Sequence, residues 1–116
     1  MKRDVFLFVE DILQSINDIE SFSLGLTEEE INENRLKQNA IIRSLEIIGE
    51  AVKNIPESFK KNYQEIPWRN IAGFRDVLTH GYFRIDIGLI WKIVKNDIPN
   101  LKEQILKIKK DLEINR

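Results

Sequence analysis

The sequence predicts an all-α protein, an up-and-down bundle of four to five helices. Apolar residues recur every three or four positions in three long stretches, which is the spacing that places them on one face of a helix. The three stripes are Val5, Val9, Ile12, Ile16 and Ile19; Ile41, Leu45, Ile48, Val52 and Ile55; and Ile87, Trp91, Val94, Ile98, Leu101, Ile105, Ile108 and Leu112. The alternating pattern of strands is weak throughout. With 116 residues, the chain is expected to form a single domain over residues 1–116.

Local signals mark where several of these helices begin and how they continue. Thr27 and Glu30 have the spacing of a capping box, which favours a helix start. Pro56 and Pro67 each suit the first turn of a short helix. Pro99 interrupts the last stripe, but the apolar pattern continues in phase across it. We therefore predict one kinked helix there rather than two separate helices.

The second long stripe has a small or apolar stripe beside it, formed by Ala40, Ser44, Ile47 and Ala51. A helix with two such faces can bury one in its own core and present the other to a second copy of the chain. This pattern favours a symmetric homodimer.

Composition excludes several classes of protein. Apolar residues make up 42% and charged residues 32%, which is typical of a soluble globular chain. The absence of Cys excludes disulfides and a thiol nucleophile, and a single His excludes a multi-His metal site within one subunit. No apolar run approaches the ~20 residues of a membrane span, and the start of the chain is too charged for a signal peptide. We therefore expect a cytoplasmic protein with no membrane association and no cofactor.

Charge is distributed unevenly around a net value of −1. Residues 1–34 carry two basic and nine acidic side chains, whereas residues 35–116 carry sixteen basic and ten acidic ones. The later part of the chain can therefore form a moderately basic cleft. Ordinary solvated helix faces are the alternative explanation.

Polar side chains that could take part in binding or catalysis concentrate in residues 67–82. Within this segment, Gly81 suits the end of a helix, and His80 falls in the last turn of that helix. An imidazole titrates near neutral pH and can transfer protons. Asp76 lies one turn earlier, where it can orient that ring. Arg75 can bind a phosphate through two parallel hydrogen bonds.

The spacing of Arg75 and His80 leaves open how they act together. Five residues apart on an ideal helix, they point about 140° away from each other. Arginine and histidine together can cleave RNA without a metal, because the ribose 2′-hydroxyl is the nucleophile. A symmetric dimer that brings two copies of each into one cleft would supply both an acid and a base. The structural alternatives are that His80 caps the helix and that Arg75 pairs with Asp76, Glu46 or Glu50.

The segment resembles a known family. Arg75-x4-His80-x-Tyr82 is similar to the Arg-x(4–6)-His-x-Tyr motif of HepT-like proteins, the minimal branch of the HEPN superfamily. Asp76 occupies the polar position that usually follows the arginine. Trp68, Gly73, Gly81, Asp86 and Trp91 flank the motif as they do in HepT-like chains. Upstream, residues 43–51 resemble the family's second long helix.

This resemblance implies a HEPN-like homodimer that acts as the toxin of a toxin–antitoxin pair. Arg75 and His80 would be the catalytic residues of a metal-independent ribonuclease acting on RNA, with Asp76 in support. The partner would be an MNT-type nucleotidyltransferase antitoxin, and Tyr82 would accept AMP from it. Two alternatives remain: a non-catalytic substrate- or nucleotide-binding subunit of a nucleotidyltransferase, and a helical dimer with no site.

Overall fold

The computed structural model describes residues 4–80 and 85–115, and this part of the chain is helical with no strand. The helices are α1 (Val5–Ser23), α2 (Glu28–Asn32), α3 (Arg35–Asn54), α4 (Glu57–Lys60), α5 (Trp68–His80), α6 (Ile87–Lys92) and α7 (Ile98–Ile114). A π-helical stretch at Ile93–Asp97 joins α6 to α7 without a break. The described residues therefore form four long helices and three short ones or extensions, which confirms the predicted all-α bundle.

The three apolar stripes form the core. The side chains that are almost wholly inaccessible to solvent include Val9, Ile12, Ile16, Ile19, Ile41, Ile48, Val52, Ile105 and Ile108. α1 packs on both α3 and α7, and α3 also packs on α5. The centre of the bundle is therefore α1 and α3, and α5 lies at its edge.

The structure confirms that the last helix continues across Pro99. Proline has no backbone N–H, so Pro99 cannot donate to the carbonyl four residues before it. The π-helical stretch ends at Asp97, immediately upstream, and its wider turns absorb this mismatch. The accommodation is a π-helical insertion within a continuous helix.

Helix starts agree closely with the sequence signals. The capping box is present: the Thr27 N–H donates to the Glu30 carboxylate at 3.1 Å, and the Glu30 N–H donates to the Thr27 hydroxyl at 3.2 Å. Pro56 is the N-cap of α4, and Pro67 directly precedes α5. Each proline lies one residue outside the helix that it was expected to open.

The second stripe of α3 is covered in part by its own chain. Ser44 and Ala51 are buried within a single chain, and Ala40 and Ile47 are half-buried. The reason is that α3 is enclosed by α1, α2 and α5. Within this stripe, Ala40 and Ile47 therefore keep part of their surface open to a second copy, whereas Ser44 and Ala51 do not.

Candidate functional site

The beginning of α5 is anchored to the rest of the bundle through Tyr63. The buried indole of Trp68 donates its N–H to the Tyr63 carbonyl at 2.9 Å. The Tyr63 hydroxyl donates to the Asp111 carboxylate of α7 at 2.8 Å. Partial burial, reinforced by that hydrogen bond, raises the pKa of Tyr63 to about 12, so the phenol stays protonated and continues to donate.

α3 and α5 approach each other closely at Gly49. A Cβ atom at Gly49 would overlap the Cβ of Arg75, lie 2.9 Å from its Cγ and lie 3.3 Å from the Ile71 carbonyl oxygen. No residue with a side chain fits there without a shift. The missing side chain lets the stem of Arg75 cross directly over α3.

The guanidinium of Arg75 is held between two carboxylates at the seam of α3 and α5. Its Nη2 lies 3.6 Å from Glu50 Oε2, and its Nη1 lies 3.3 Å from Asp76 Oδ1. All three side chains are partly exposed, and ion pairs of this kind contribute only about 0–1 kcal/mol. A phosphate group can therefore replace either carboxylate. Two of the three predicted pairings occur, while Glu46 pairs instead with Arg43 at 3.9 Å.

His80 is the last residue of α5, and its side chain is exposed. Within residues 4–80 and 85–115 it makes no hydrogen bond or ion pair. Asp76, which was expected to orient the imidazole, contacts Arg75 instead. The ring is therefore free to turn towards a bound substrate.

A single chain does not focus the predicted residues on one point. Because α5 is continuous through His80, Arg75 and His80 keep the helical separation of about 140°. The structure brings Arg75 together with Asp76 and Glu50 on the side of α5 that faces α3. His80 lies on the solvent-exposed face of α5, which we call its open face. Gly81 and Tyr82 lie outside the described residues.

A basic groove lies beside α5, with a volume of about 780 Å³. It extends from the end of α3 across α4 to the first two turns of α5. Its charged lining residues are Lys53, Glu57, Lys60, Lys61, Arg69 and Asp76. The sequence indicated a basic cleft in the later part of the chain but not these residues. The available signal was that three of the lysines flank Pro56 within nine positions.

The described part of the chain offers no cluster of three or more His, Asp or Glu side chains that could hold a metal ion. Separately, none of its helices combines the length and the apolar character needed to cross a membrane.

The fold and this cluster together describe an all-helical bundle whose edge helix carries a partly exposed arginine and a histidine that has no partner within residues 4–80 and 85–115. The sequence matches the family model "Ribonuclease HepT-like" over residues 12–108. The chain belongs to this ribonuclease HepT-like family.

Several relatives support this assignment. The chain is 47% identical to the "Probable ribonuclease HepT" of Thermococcus cleftensis over 95% of its own length and all of that protein. It is 46% identical over its full length to a "Gamma-glutamylcyclotransferase and putative RNase" of Methanocaldococcus jannaschii, of which it spans 52%. A "Putative RNase" of the same organism is 46% identical over 97% of this chain and 93% of its own length. No solved structure gives a significant match.

Proposed function

We propose that the protein is a metal-independent endoribonuclease whose cleft is completed by a second copy of the chain. The observation that carries the proposal is the state of α5. Partly exposed carboxylates hold Arg75, and His80, at the end of the same helix, has no partner in the part of the chain that the structure describes. Membership of a ribonuclease family supports it.

Each residue has a defined part in the reaction. The scissile phosphate displaces Glu50 or Asp76 and takes two hydrogen bonds from the Arg75 guanidinium. A base removes the proton of the 2′-hydroxyl, whose oxygen forms a bond to phosphorus. An acid protonates the 5′-oxygen as its bond to phosphorus breaks, which leaves a 2′,3′-cyclic phosphate. Arg75 stabilises the negative charge that builds up on the phosphoryl oxygens.

The second copy of the chain supplies what one chain lacks. The reaction needs a base and an acid, and the sequence has one histidine. In a symmetric dimer with the open faces of two α5 helices turned towards each other, one imidazole acts as the base and the other as the acid.

An antitoxin partner would control this activity in the cytoplasm. In a toxin–antitoxin pair, an MNT-type nucleotidyltransferase would transfer AMP from ATP to the hydroxyl of Tyr82, with release of pyrophosphate. The AMP group adds bulk and negative charge two residues from His80, and so competes with RNA for Arg75. Mass spectrometry after mixing with the nucleotidyltransferase, ATP and Mg²⁺ should show the added mass of AMP, and Tyr82→Phe should prevent it. Persistence of the added mass in Tyr82→Phe would assign the acceptor elsewhere.

The cleavage itself is tested with purified protein and single-stranded RNA in the presence of EDTA. The wild-type protein should cleave the RNA, and His80→Ala should lose cleavage by about a hundredfold or more. Asn17→Ala is the control, because Asn17 is an exposed polar residue of α1, which packs mainly on α3 and α7. Wild-type activity in His80→Ala would reject the catalytic role, and an inactive wild-type protein would favour the non-catalytic binding subunit.

A further inference from the structure

We propose that the basic groove beside α5 binds the sugar–phosphate backbone of the RNA strand that flanks the scissile phosphate. This inference deepens the proposed ribonuclease function and rests on it. The groove has a volume of about 780 Å³, within the range of clefts that bind small ligands.

The charges of the groove favour a polyanion. Four cationic side chains line it against two carboxylates. Of these cations, only Lys60 has a carboxylate partner among the described residues, Glu57 at 3.5 Å. Lys53, Lys61 and Arg69 have none in that part of the chain, which leaves three cations available to phosphates.

Two lysines of α7, by contrast, are paired with carboxylates. Lys102 pairs with Glu20 of α1 at 2.8 Å, and Lys109 pairs with Glu10 of α1 at 3.2 Å. These two ion pairs link α7 to α1, which carries acidic but no basic side chains. Lys53 and Lys61 of the groove have no carboxylate partner among the described residues, so their charge is available to a ligand.

The groove leads to the site of cleavage. Asp76 lines the groove and is also the carboxylate that lies 3.3 Å from the Arg75 guanidinium. Arg69 stands seven residues before Asp76 on α5, a distance of two helical turns or about 10.5 Å along the helix. A strand whose phosphate is bound at Arg75 can therefore continue along α5 to Arg69 and then to Lys61.

The remaining lining residues fit RNA better than an acidic protein segment. Gln64 and Asn70 also line the groove, and their amides can both donate to and accept from base edges. On the other side of α5 there is a groove of about 540 Å³ with mostly apolar walls, and Glu65 and Asp97 are its charged lining residues. Those carboxylates would repel phosphates, so the strand is expected to follow the basic groove.

The test compares two charge-matched double variants. Lys61→Gln/Arg69→Gln removes two cations of the groove, and Lys107→Gln/Lys110→Gln removes two exposed lysines of α7 that line neither groove. The probe is a single-stranded RNA of about 16 nucleotides with 2′-O-methyl groups, which binds but cannot be cleaved. Its dissociation constant is measured as a function of salt concentration.

The groove variant should bind the probe about tenfold more weakly at low salt. The slope of the logarithm of the binding constant against the logarithm of the salt concentration should also be smaller in magnitude by about 1.4. The reason is that each of the two lost phosphate contacts changes this slope by about 0.7. The α7 control should stay close to the wild type. A wild-type slope in the groove variant, an equal loss in the control, or no binding by the wild-type protein overturns the proposal. Binding of an acidic peptide that depends on Lys61 and Arg69, with RNA binding unchanged, also overturns it.

A second substrate separates this inference from the proposed function. A dinucleotide carries a single phosphate, which Arg75 binds, so it leaves no phosphate for Arg69 or Lys61. The groove variant should therefore cleave it at the wild-type rate while cleaving long RNA more slowly. Equal slowing on both substrates contradicts a flanking-strand role. If the wild-type protein binds the probe through the groove but cleaves neither substrate, the ribonuclease proposal fails and the groove remains.

Discussion

The stem of Arg75 lies directly against the backbone of Gly49, so α3 and α5 meet at this point without an intervening side chain. The contact places the guanidinium between Glu50 of α3 and Asp76 of α5. Gly49 is therefore a positioning residue: it fixes how close Arg75, the proposed phosphate-binding residue, comes to the edge of α3.

Replacing Gly49 tests that role. Gly49→Ala inserts a Cβ atom that overlaps Arg75 and presses on the Ile71 carbonyl, so α5 has to move. We expect the free energy of unfolding to fall by about 1–3 kcal/mol, as for other overpacked sites, and RNA cleavage to fall with it. Urea unfolding and an RNA cleavage assay measure the two effects.

Gly73 of α5 provides the matched control. A Cβ atom there would meet nothing within 4 Å. Because alanine forms helices better than glycine, Gly73→Ala should raise the free energy of unfolding by up to about 1 kcal/mol. If Gly49→Ala were equally stabilising, the close approach of α3 and α5 would not exist in the protein.

Glu50 is expected to compete with the substrate. Glu50→Gln removes a charge that lies 3.6 Å from the Arg75 guanidinium and leaves the shape of the side chain unchanged. RNA should therefore bind a few times more tightly, by about twofold to fivefold, since a partly exposed ion pair is weak. Titration of uncleavable RNA measures the change. Glu46→Gln, which removes a carboxylate paired with Arg43 one turn earlier, is the control. Weaker binding in Glu50→Gln would show that Glu50 orients Arg75 and does not compete.

Tyr63 makes stability depend on alkaline pH. Its pKa is about 12 in the folded chain against 10.0 ordinarily, so above pH 10 the unfolded state loses the proton first. Below pH 10, Tyr63 makes its full contribution to the free energy of unfolding. That contribution falls as the pH rises from 10 towards 12. Tyr63→Phe removes the hydrogen bond to Asp111 and this dependence. The stability difference between the wild type and Tyr63→Phe should therefore shrink from pH 9.5 to pH 12. Parallel curves from urea unfolding would contradict it.

Much of the fold could be predicted from sequence because one stripe of apolar residues specifies one helix and its buried face. The stripes of α1, α3 and α7 became the core, and Thr27 with Glu30 formed the capping box. The residues of each prediction lie within one helix, so their spacing alone determines their geometry.

The features that could not be predicted from the sequence depend on how the helices pack against one another. The spacing of residues within one helix does not determine that packing. Asp76 is within reach of both Arg75 and His80 by sequence, and the packing of Arg75 over Gly49 brings it to Arg75. The groove joins residues of α3, α4 and α5, and only the packed bundle places them together. The second stripe of α3 has the composition of an interface, yet its own chain covers Ser44 and Ala51.

The measurement that tests the account most directly mixes wild-type and His80→Ala chains. Equal amounts are unfolded together and refolded, so that about a quarter of the dimers contain two wild-type chains and about half contain one. If both copies of His80 are needed in one cleft, the mixture should retain about a quarter of the activity measured for an equal total amount of pure wild-type protein. Retention of about a half would show that each chain cleaves RNA alone, and would contradict a site completed by the second copy.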